Sequence, residues 1–184
     1  SELVRVSETV SAGEPAVYRQ RCESNFTRYT WHDRAGGEGG YWQAEYADGR
    51  VGFFGADQSG ASVPGAIEAN ADRTFKYHLV ELIDVYGHSM RFDYVKDGAI
   101  SLVPSIAYAF TSGQPTYRVD FTYEGRSDNV SDAKAGFARI LTRRLAGVVV
   151  RTRGQQLRRY ALSYEDDATS NRRTRLQRIE SFGS

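Results

Sequence analysis

Residues 77–94, with the sequence YHLVELIDVYGHSMRFDY, constrain the fold of this chain more than any other segment. The dense apolar run at residues 77–83 predicts a central strand that is covered on both faces. Polar and apolar residues then alternate through residues 89–94, which is the period of a strand with one solvated face. Between the two runs, Asp84 can accept bonds from backbone amides two residues on, and Gly87 reaches positive φ without steric cost. The segment therefore predicts an antiparallel hairpin whose tight turn is formed by Asp84, Gly87 and His88.

The same signals recur on both sides of this hairpin. At residues 41–55 an Asp48-Gly49 pair lies between alternating apolar residues and favours a type I′ hairpin turn. Asp97 and Gly98 form a further tight turn, and strand patterns follow at residues 102–110, 117–123, 145–152, 157–164 and 174–182. Such short connections exclude parallel crossovers, which need a dozen or more residues. We therefore predict an all-β fold of consecutive antiparallel hairpins in one extended, twisted sheet with little helix.

Three segments lack a clear strand pattern. We expect residues 1–16 to be an extended lead-in that precedes a single β domain at 17–184. Residues 56–74 are small and polar, which predicts a surface connection. Ser131-Asp132 can cap a short helical turn over 133–141. Ser1 and the terminal Gly183-Ser184 are not typical natural chain ends, so we expect a piece of a longer polypeptide.

Composition narrows the class of protein. The chain contains 12 Tyr and 18 Gly, and 40% of its residues are hydrophobic, which favours a soluble β protein. It has no apolar run of roughly 18 residues, and no charged-then-apolar segment opens it, so we expect neither a membrane span nor a signal peptide in this sequence. Its single cysteine, Cys22, permits no internal disulfide, and we expect it to be a buried, unreactive thiol.

Charge is divided unequally along the chain. Residues 1–126 hold 12 Lys/Arg against 17 Asp/Glu, a balance of −5, and residues 127–184 hold 12 against 6, a balance of +6. A basic half can bind nucleic acid, but it contains no helix-turn-helix, zinc-finger or RNP-like pattern. We therefore expect the two halves to dock on each other or on neighbouring modules.

The titratable residues do not form a catalytic or metal-binding motif. His78 and Glu81 have the spacing of a helical metal site, but residues three apart in a strand point to opposite faces. His32-Asp33 lies beside a glycine-rich loop that cannot fix an acid–base pair, and His88 is better explained as a turn residue. We predict no catalytic, cofactor-binding or metal-binding residue.

The order of the strand motifs carries a family resemblance. The central hairpin resembles the YD-repeat hairpin of RHS-type proteins. The wider chain resembles the N-terminal domain shared by SpvB virulence toxins and the B component of insecticidal toxin complexes. The matching elements are Val17-Tyr18 with Glu23 and Phe26, Tyr46-Ala47-Asp48-Gly49 to Phe54-Gly55, residues 79–94, Pro104-x-Ile106-x-Tyr108, YRVDFTYEGRSD at residues 117–128, Arg144-Leu145-Ala146-Gly147-Val148, and Tyr160-Ala161-Leu162-Ser163-Tyr164. The chain departs from the family pattern in having Tyr77 in place of Trp and His88 in place of Asn.

The resemblance implies a secreted structural module, part of a β-shell that encloses a toxic C-terminal segment. It implies as partners the remaining domains of the same polypeptide and a toxin-complex component. No ordered set of ADP-ribosyltransferase motifs is visible, so we expect no enzyme. Two alternatives stay open: a β binding module that stacks carbohydrate on Trp31 and Trp42, or an enzyme whose scattered acidic and His residues converge in the fold.

Overall fold

The computed structural model describes residues 2–6, 14–34, 39–166 and 173–183. Within these ranges the chain forms β-strands and one short 3-10 helix, Pro64–Ala66. The strands are β1 (Leu3–Arg5), β2 (Ala16–Gln20), β3 (Arg28–Asp33), β4 (Gly40–Glu45), β5 (Val51–Phe54), β6 (Ile67–Ala69), β7 (Thr74–Tyr77), β8 (Leu79–Ile83), β9 (Ser89–Phe92), β10 (Val95–Asp97), β11 (Ile100–Leu102), β12 (Ser105–Thr111), β13 (Gln114–Asp132), β14 (Arg139–Thr152), β15 (Gln155–Asp166) and β16 (Thr174–Phe182).

Twelve of these strands form one antiparallel sheet, in the order β1-β2-β3-β4-β5-β8-β9-β12-β13-β14-β15-β16. Sequence neighbours are sheet neighbours throughout, apart from two inserted hairpins, β6–β7 and β10–β11, which form separate two-stranded sheets. Hairpin connections produce this order because an antiparallel neighbour needs only a short turn. The predicted all-β fold of consecutive antiparallel hairpins is confirmed.

The central hairpin forms with the register that its turn imposes. In β8 and β9, Leu82 pairs with Met90 and Ile83 with Ser89. Tyr77 was expected in the same strand, but it ends β7 and belongs to the small β6–β7 sheet. The backbone N–H of His78 bonds to Ala66 O across the small sheet, whereas His78 O accepts from Gly55 N. The apolar run is therefore divided between two sheets at His78.

The sequence predicted a surface connection at residues 56–74. The structure shows instead that part of this segment is buried. Ala56 and Ala66 are fully buried, and Glu68 in β6 is 1% exposed. The 3-10 helix contacts β10, and β6 contacts β11, so the two small sheets lie together and contact β14. Small residues permit this close approach, which a hydrophobicity pattern does not reveal.

The expected helical turn at 133–141 is also wrong. β13 runs unbroken to Asp132, the chain turns at Ala133–Gly136, and β14 begins at Arg139. A register shift between Gly125 and Val130 absorbs the irregular pattern of this stretch. Residues 126–129 of β13 have no paired residue in β14, and this interruption of the ladder disturbs the alternation from which strands are predicted. In the expected lead-in, Leu3–Arg5 forms the edge strand β1 against β2, while residues 1 and 7–13 lie outside the described residues.

Buried apolar side chains are few and small in the described part of the chain. They are Ala16, Ala44, Phe53, Ala56, Ala66, Val80, Ala107 and Ala135. Most of the larger apolar side chains are half-buried or exposed, because the long strands β13–β16 have little second layer over them. The sheet is thus wide, thin and incompletely covered.

Candidate interaction surface of the sheet

Strand pairing divides the side chains of the large sheet between two chemically different faces. Residues directly opposite one another on antiparallel strands share a face. One row crosses nine strands on what we call the apolar face: Tyr18, Tyr29, Ala44, Gly52, Leu82, Met90, Tyr108, Tyr117 and Thr152. The adjacent row lies on what we call the charged face: Thr30, Gln43, Phe53, Glu81, Arg91, Ala107, Arg118, Arg151 and Gln156.

The apolar face continues through the last four strands, where its side chains are half-buried on β13–β15 and exposed on β16. Val119 pairs with Val150, and Phe121 with Val148. On β15 and β16 the same face carries Tyr160, Leu162, Leu176 and Ile179. Ile179 is 58% exposed and Leu176 50% exposed. Exposed apolar patches rimmed by polar residues are typical of sites that another molecule covers.

The two tryptophans lie at the opposite end of the apolar face. Trp31 and Trp42 pair across β3 and β4 and pack edge to face, with their ring centroids 5.1 Å apart. Trp42 also contacts Tyr18 at 5.2 Å, and Trp31 contacts Tyr77 of the small sheet at 5.5 Å. Edge-to-face pairs of this kind are worth about 0.5–1.5 kcal/mol beyond area burial. These rings therefore help to fix the small sheet over the large one.

Two shallow grooves open on the apolar face. One of 270 Å³ is lined mainly by aromatic residues, among them Tyr29, Trp42, Phe54, Phe75 and Tyr77. The other, of 460 Å³, lies between Leu82, Met90 and Tyr108 and has Arg50, Asp84 and His88 among its lining residues.

The charged face is crossed by ion pairs between neighbouring strands. Glu81 is fully buried, accepts a bond from Arg91 Nε at 2.9 Å and accepts another from Gln58 N at 3.1 Å. Farther along, the Asp120 carboxylate accepts from Arg118 at 2.6 Å and from Arg151 at 2.8 Å. Burial alone would raise the pKa of Asp120, but these two guanidinium groups outweigh it and lower the pKa. This face is therefore satisfied largely by its own side chains.

Glu68 is the centre of a buried polar cluster that joins the small sheets to β14. Its Oε1 atom lies 2.9 Å from His78 Nε2 and accepts from Ser101 N at 3.1 Å. Its Oε2 atom lies 2.8 Å from Arg139 Nη2. Arg139 also bonds to Asp132 at 2.9 Å. A carboxylate on β6 that joins β11, β14 and His78, the residue between β7 and β8, fixes the inserted hairpins in place, and we call this group the Glu68 cluster.

The electrostatics of the Glu68 cluster follow from these contacts. Burial opposes ionisation of Glu68, but the hydrogen bonds from His78 and Ser101 outweigh it and lower the pKa of Glu68. Burial lowers the pKa of His78 and outweighs the hydrogen bond to Glu68. Lys96, which bonds to Ser101 Oγ at 3.0 Å, has its pKa lowered by burial. These properties indicate a structural junction with a neutral histidine.

Two further aspartates form hydrogen bonds that connect segments distant in the sequence. Asp97 accepts from Thr142 N at 2.7 Å and from Thr142 Oγ1 at 2.5 Å. Asp128 is held by Arg126 at 2.9 Å and accepts from Thr174 N at 2.8 Å. The hydrogen bond from Arg126 has the largest effect, and together with the bonds from Thr174 it lowers the pKa of Asp128 well below its usual value. Because β13 and β16 are not neighbours in the sheet, the Asp128–Thr174 contact shows that the last four strands curl towards one another.

The predicted turn residues lie at the tips of their hairpins. The Asp84 carboxylate accepts from Tyr86 N at 2.8 Å and His88 N at 2.9 Å, lies 3.0 Å from His88 Nδ1, and Gly87 has φ +83°. Asp48 accepts from Arg50 N at 3.1 Å, and Gly49 has φ +84°. The Asp48-Gly49 turn is not the expected type I′: Tyr46 N bonds to Arg50 O, and only Gly49 of the three residues between them has positive φ. Gly98 has φ +59°, whereas Asp97 points away to Thr142.

The other residues weighed from the sequence are dispersed. His32 lies 3.0 Å from Gln43 and stacks on Tyr41, whereas Asp33 accepts from Trp31 Nε1 at 2.7 Å. His78 and Glu81 serve different partners. Cys22 is exposed, so its expected burial is wrong; it lies in the turn between β2 and β3 and not within a strand.

Within the described ranges, no group of three His, Cys, Asp or Glu side chains is placed to hold a metal ion. Among the same residues, no helix has the length and apolar character needed to cross a membrane. The sequence analysis did not identify the buried role of Glu68, since the surrounding residues are small and polar. Glu81 did give a signal, because it is a lone carboxylate in an apolar strand and the hairpin register places Arg91 opposite it.

No protein-family model matches this sequence, and no curated protein matches it. Solved structures do match the fold. The N-terminal domain of the effector protein SpvB from Salmonella typhimurium strain LT2 aligns with a TM-score of 0.77 and 15% sequence identity, covering 92% of this chain and 69% of that chain. The crystal structure of TcdB2-TccC3-Cdc42 aligns with a TM-score of 0.74 and 15% identity, covering 98% of this chain but 12% of that chain.

The agreement extends over nearly the whole of this chain, including both sides of the central hairpin. At 15% identity it establishes the arrangement of the strands. This chain therefore has the fold of the SpvB N-terminal domain and of a segment of the TcdB2-TccC3 structure, which confirms the resemblance found in its sequence.

Proposed function

We propose that this chain is a non-catalytic structural module of a secreted toxin, one segment of a β-shell that encloses a toxic polypeptide. Its partners would be the remaining domains of the same polypeptide and a toxin-complex component. The apolar face of β13–β16, which leaves Leu176 and Ile179 exposed on β16, is the observation that carries this proposal. The names of the two structural neighbours, an effector protein and TcdB2-TccC3, support a connection with toxins.

A wall segment needs a broad sheet with two different surfaces. On β13 and β14 the charged face neutralises itself through the partly exposed pairs Arg118–Asp120 and Arg151–Asp120, so this part of it can face water. The apolar face leaves Leu176 and Ile179 at least half exposed. An apolar side chain of this size gains about 1.5–3 kcal/mol from full burial, so covering this face stabilises the assembly that covers it.

Among the described strands, the sheet also has two edges, because β1 and β16 each pair with a neighbour on one side only. A strand edge with free N–H and C=O groups can accept a further strand. In the proposed shell, neighbouring segments would extend the sheet from these edges.

Sedimentation velocity tests the proposal that the apolar face is covered in an assembly. We expect the isolated 184-residue chain to self-associate, and more strongly in sulfate, because kosmotropic salts favour apolar burial. The double variant Leu176→Ser, Ile179→Ser should sediment as a monomer. The matched variant Gln177→Ser changes an exposed polar residue of the same strand and should behave as the unmodified chain.

A monodisperse chain that sediments identically in all three forms would contradict the proposal. So would robust turnover in assays of ADP-ribosyl transfer or hydrolysis.

The aromatic groove beside Trp42 supports a second candidate, a carbohydrate-binding module. Its 270 Å³ and its aromatic walls would admit one sugar ring. Glycan-array binding that is lost in Trp42→Ala but kept in Tyr108→Ala would favour this function over the shell, since Tyr108 lines the other groove.

A further inference from the structure

Two hairpin tips meet at one end of the large sheet and line an open cleft of 620 Å³. The β12–β13 tip is held beside the β14–β15 tip by the pairing of Tyr117 with Thr152. The backbone N–H of Arg153 also donates to Thr116 O at 2.7 Å. The cleft is lined by Thr111, Gln114, Pro115, Thr116, Arg118, Arg153 and Gly154.

The two tips share one turn sequence and one turn geometry. Residues 111–114 read TSGQ, and residues 152–155 read TRGQ. Ser112 and Gly113 have φ of 50° and 78°, and Arg153 and Gly154 have φ of 47° and 80°. Left-handed φ at both central positions is the type I′ turn, for which Asn, Asp and Gly are preferred. Ser112 and Arg153 occupy the same position of the two turns, so the turn geometry does not require an arginine there.

The side chain of Arg153 is also without a partner among the residues that the structure describes. Among the described residues, Arg153 makes no ion pair and no side-chain hydrogen bond, and neither do the side chains of Thr111, Gln114 and Thr116. Arg118 is different, because Asp120 binds it at 2.6 Å and Asp93 lies 3.6 Å away. One unneutralised guanidinium group and three unused polar side chains thus line the same cleft.

We propose that this cleft binds a tetrahedral oxyanion, a phosphate or sulfate group carried by a small polar molecule. Guanidinium groups bind such oxyanions through paired, charge-assisted hydrogen bonds, and the threonine hydroxyls and glutamine amide can donate to the remaining oxygens. A volume of 620 Å³ lies in the range of small-molecule sites, so the cleft has room for a sugar that bears the anion. Arg118 of the charged face lines this site, which is independent of whether the apolar face lines a shell.

Isothermal titration calorimetry with the 184-residue chain, at constant ionic strength, tests this site. The probes are inorganic phosphate, inorganic sulfate, glucose 6-phosphate and glucose 6-sulfate, with glucose as the neutral control. We expect saturable binding of the anionic sugars and none of glucose. Preference between the two esters then distinguishes a phosphate from a sulfate source.

The variant Arg153→Ser reproduces the TSGQ turn and should fold normally, which thermal unfolding would verify. It should weaken binding of the preferred probe by roughly tenfold or more, as expected for loss of a charge-assisted pair. Arg158→Ser is the matched control. This substitution removes the same charge at a residue that pairs with Val150 on the apolar face. Unchanged affinity in Arg153→Ser, equal losses in both variants, or no binding of any anionic probe would overturn the proposal.

Discussion

Replacement of Glu68 by alanine tests whether the Glu68 cluster holds the inserted hairpins on the sheet. The change removes an acceptor that is 1% exposed and serves His78, Ser101 N and Arg139. A buried donor left without its acceptor costs about 1–3 kcal/mol. Arg139 keeps its bond to Asp132, which limits the loss.

From these contacts we expect Glu68→Ala to lower the free energy of unfolding by about 3 kcal/mol, at the lower end of the range for breaking a buried ion pair. Urea unfolding, followed by tryptophan fluorescence, measures the change, since Trp31 contacts Tyr77 of the affected small sheet. Glu68→Ala should increase the rate of amide hydrogen exchange more in β6, β7, β10 and β11 than in β3 and β4.

Glu2→Ala is the control, because the Glu2–Arg21 pair is about 70% exposed and exposed pairs contribute about 0–1 kcal/mol. Equal effects of Glu2→Ala and Glu68→Ala would refute the reasoning, as would unaltered exchange in the small sheets.

Two further predictions concern the turn and pH. Gly87→Val should lower the free energy of unfolding by about 1 kcal/mol or more because φ is +83° there, although a Cβ would meet no atom within 4 Å. The control is Gly125→Ala, where a Cβ would also meet no atom within 4 Å but φ is not positive, and its melting temperature should be unchanged. Because the pKa of His78 is lowered on folding, the folded state binds fewer protons, and urea stability should fall as pH drops below about 6.5. Glu68 should add a second loss below about pH 4.5, since its folded pKa is also lowered. His78→Gln should abolish the first loss, and a pH profile that His78→Gln does not alter would contradict this assignment.

The fold was largely predictable because local signals coincide with the strand order. The Asp84–Gly87 turn fixes the register of β8 and β9, and each later hairpin adds its strands beside the previous pair. Period-two alternation therefore predicted the main sheet. The division at His78 was not predictable, since the apolar run crosses from one sheet to the other without a change in pattern.

The candidate surface was less predictable than the fold. Which strands lack a second layer depends on where the inserted hairpins lie, and their position depends on long-range bonds such as Glu68–Arg139 and Asp97–Thr142. Such partners are separated by 71 and 45 residues, and no local pattern connects them. The oxyanion cleft had a sequence signal in the paired TSGQ and TRGQ turns, but only the structure places those turns side by side.

Oxidative footprinting of side chains tests the central claim, that another part of the proposed toxin assembly covers the apolar face. The labelling of Leu176, Ile179 and Tyr117 would be compared between the isolated chain and the longer assembly proposed for it. Tyr86, which is 82% exposed at the tip of the central hairpin and lies outside the apolar face, is the internal reference. We predict strong protection of the three apolar-face residues in the assembly, with little change at Tyr86. Equal labelling of the three residues in both states would contradict the shell function.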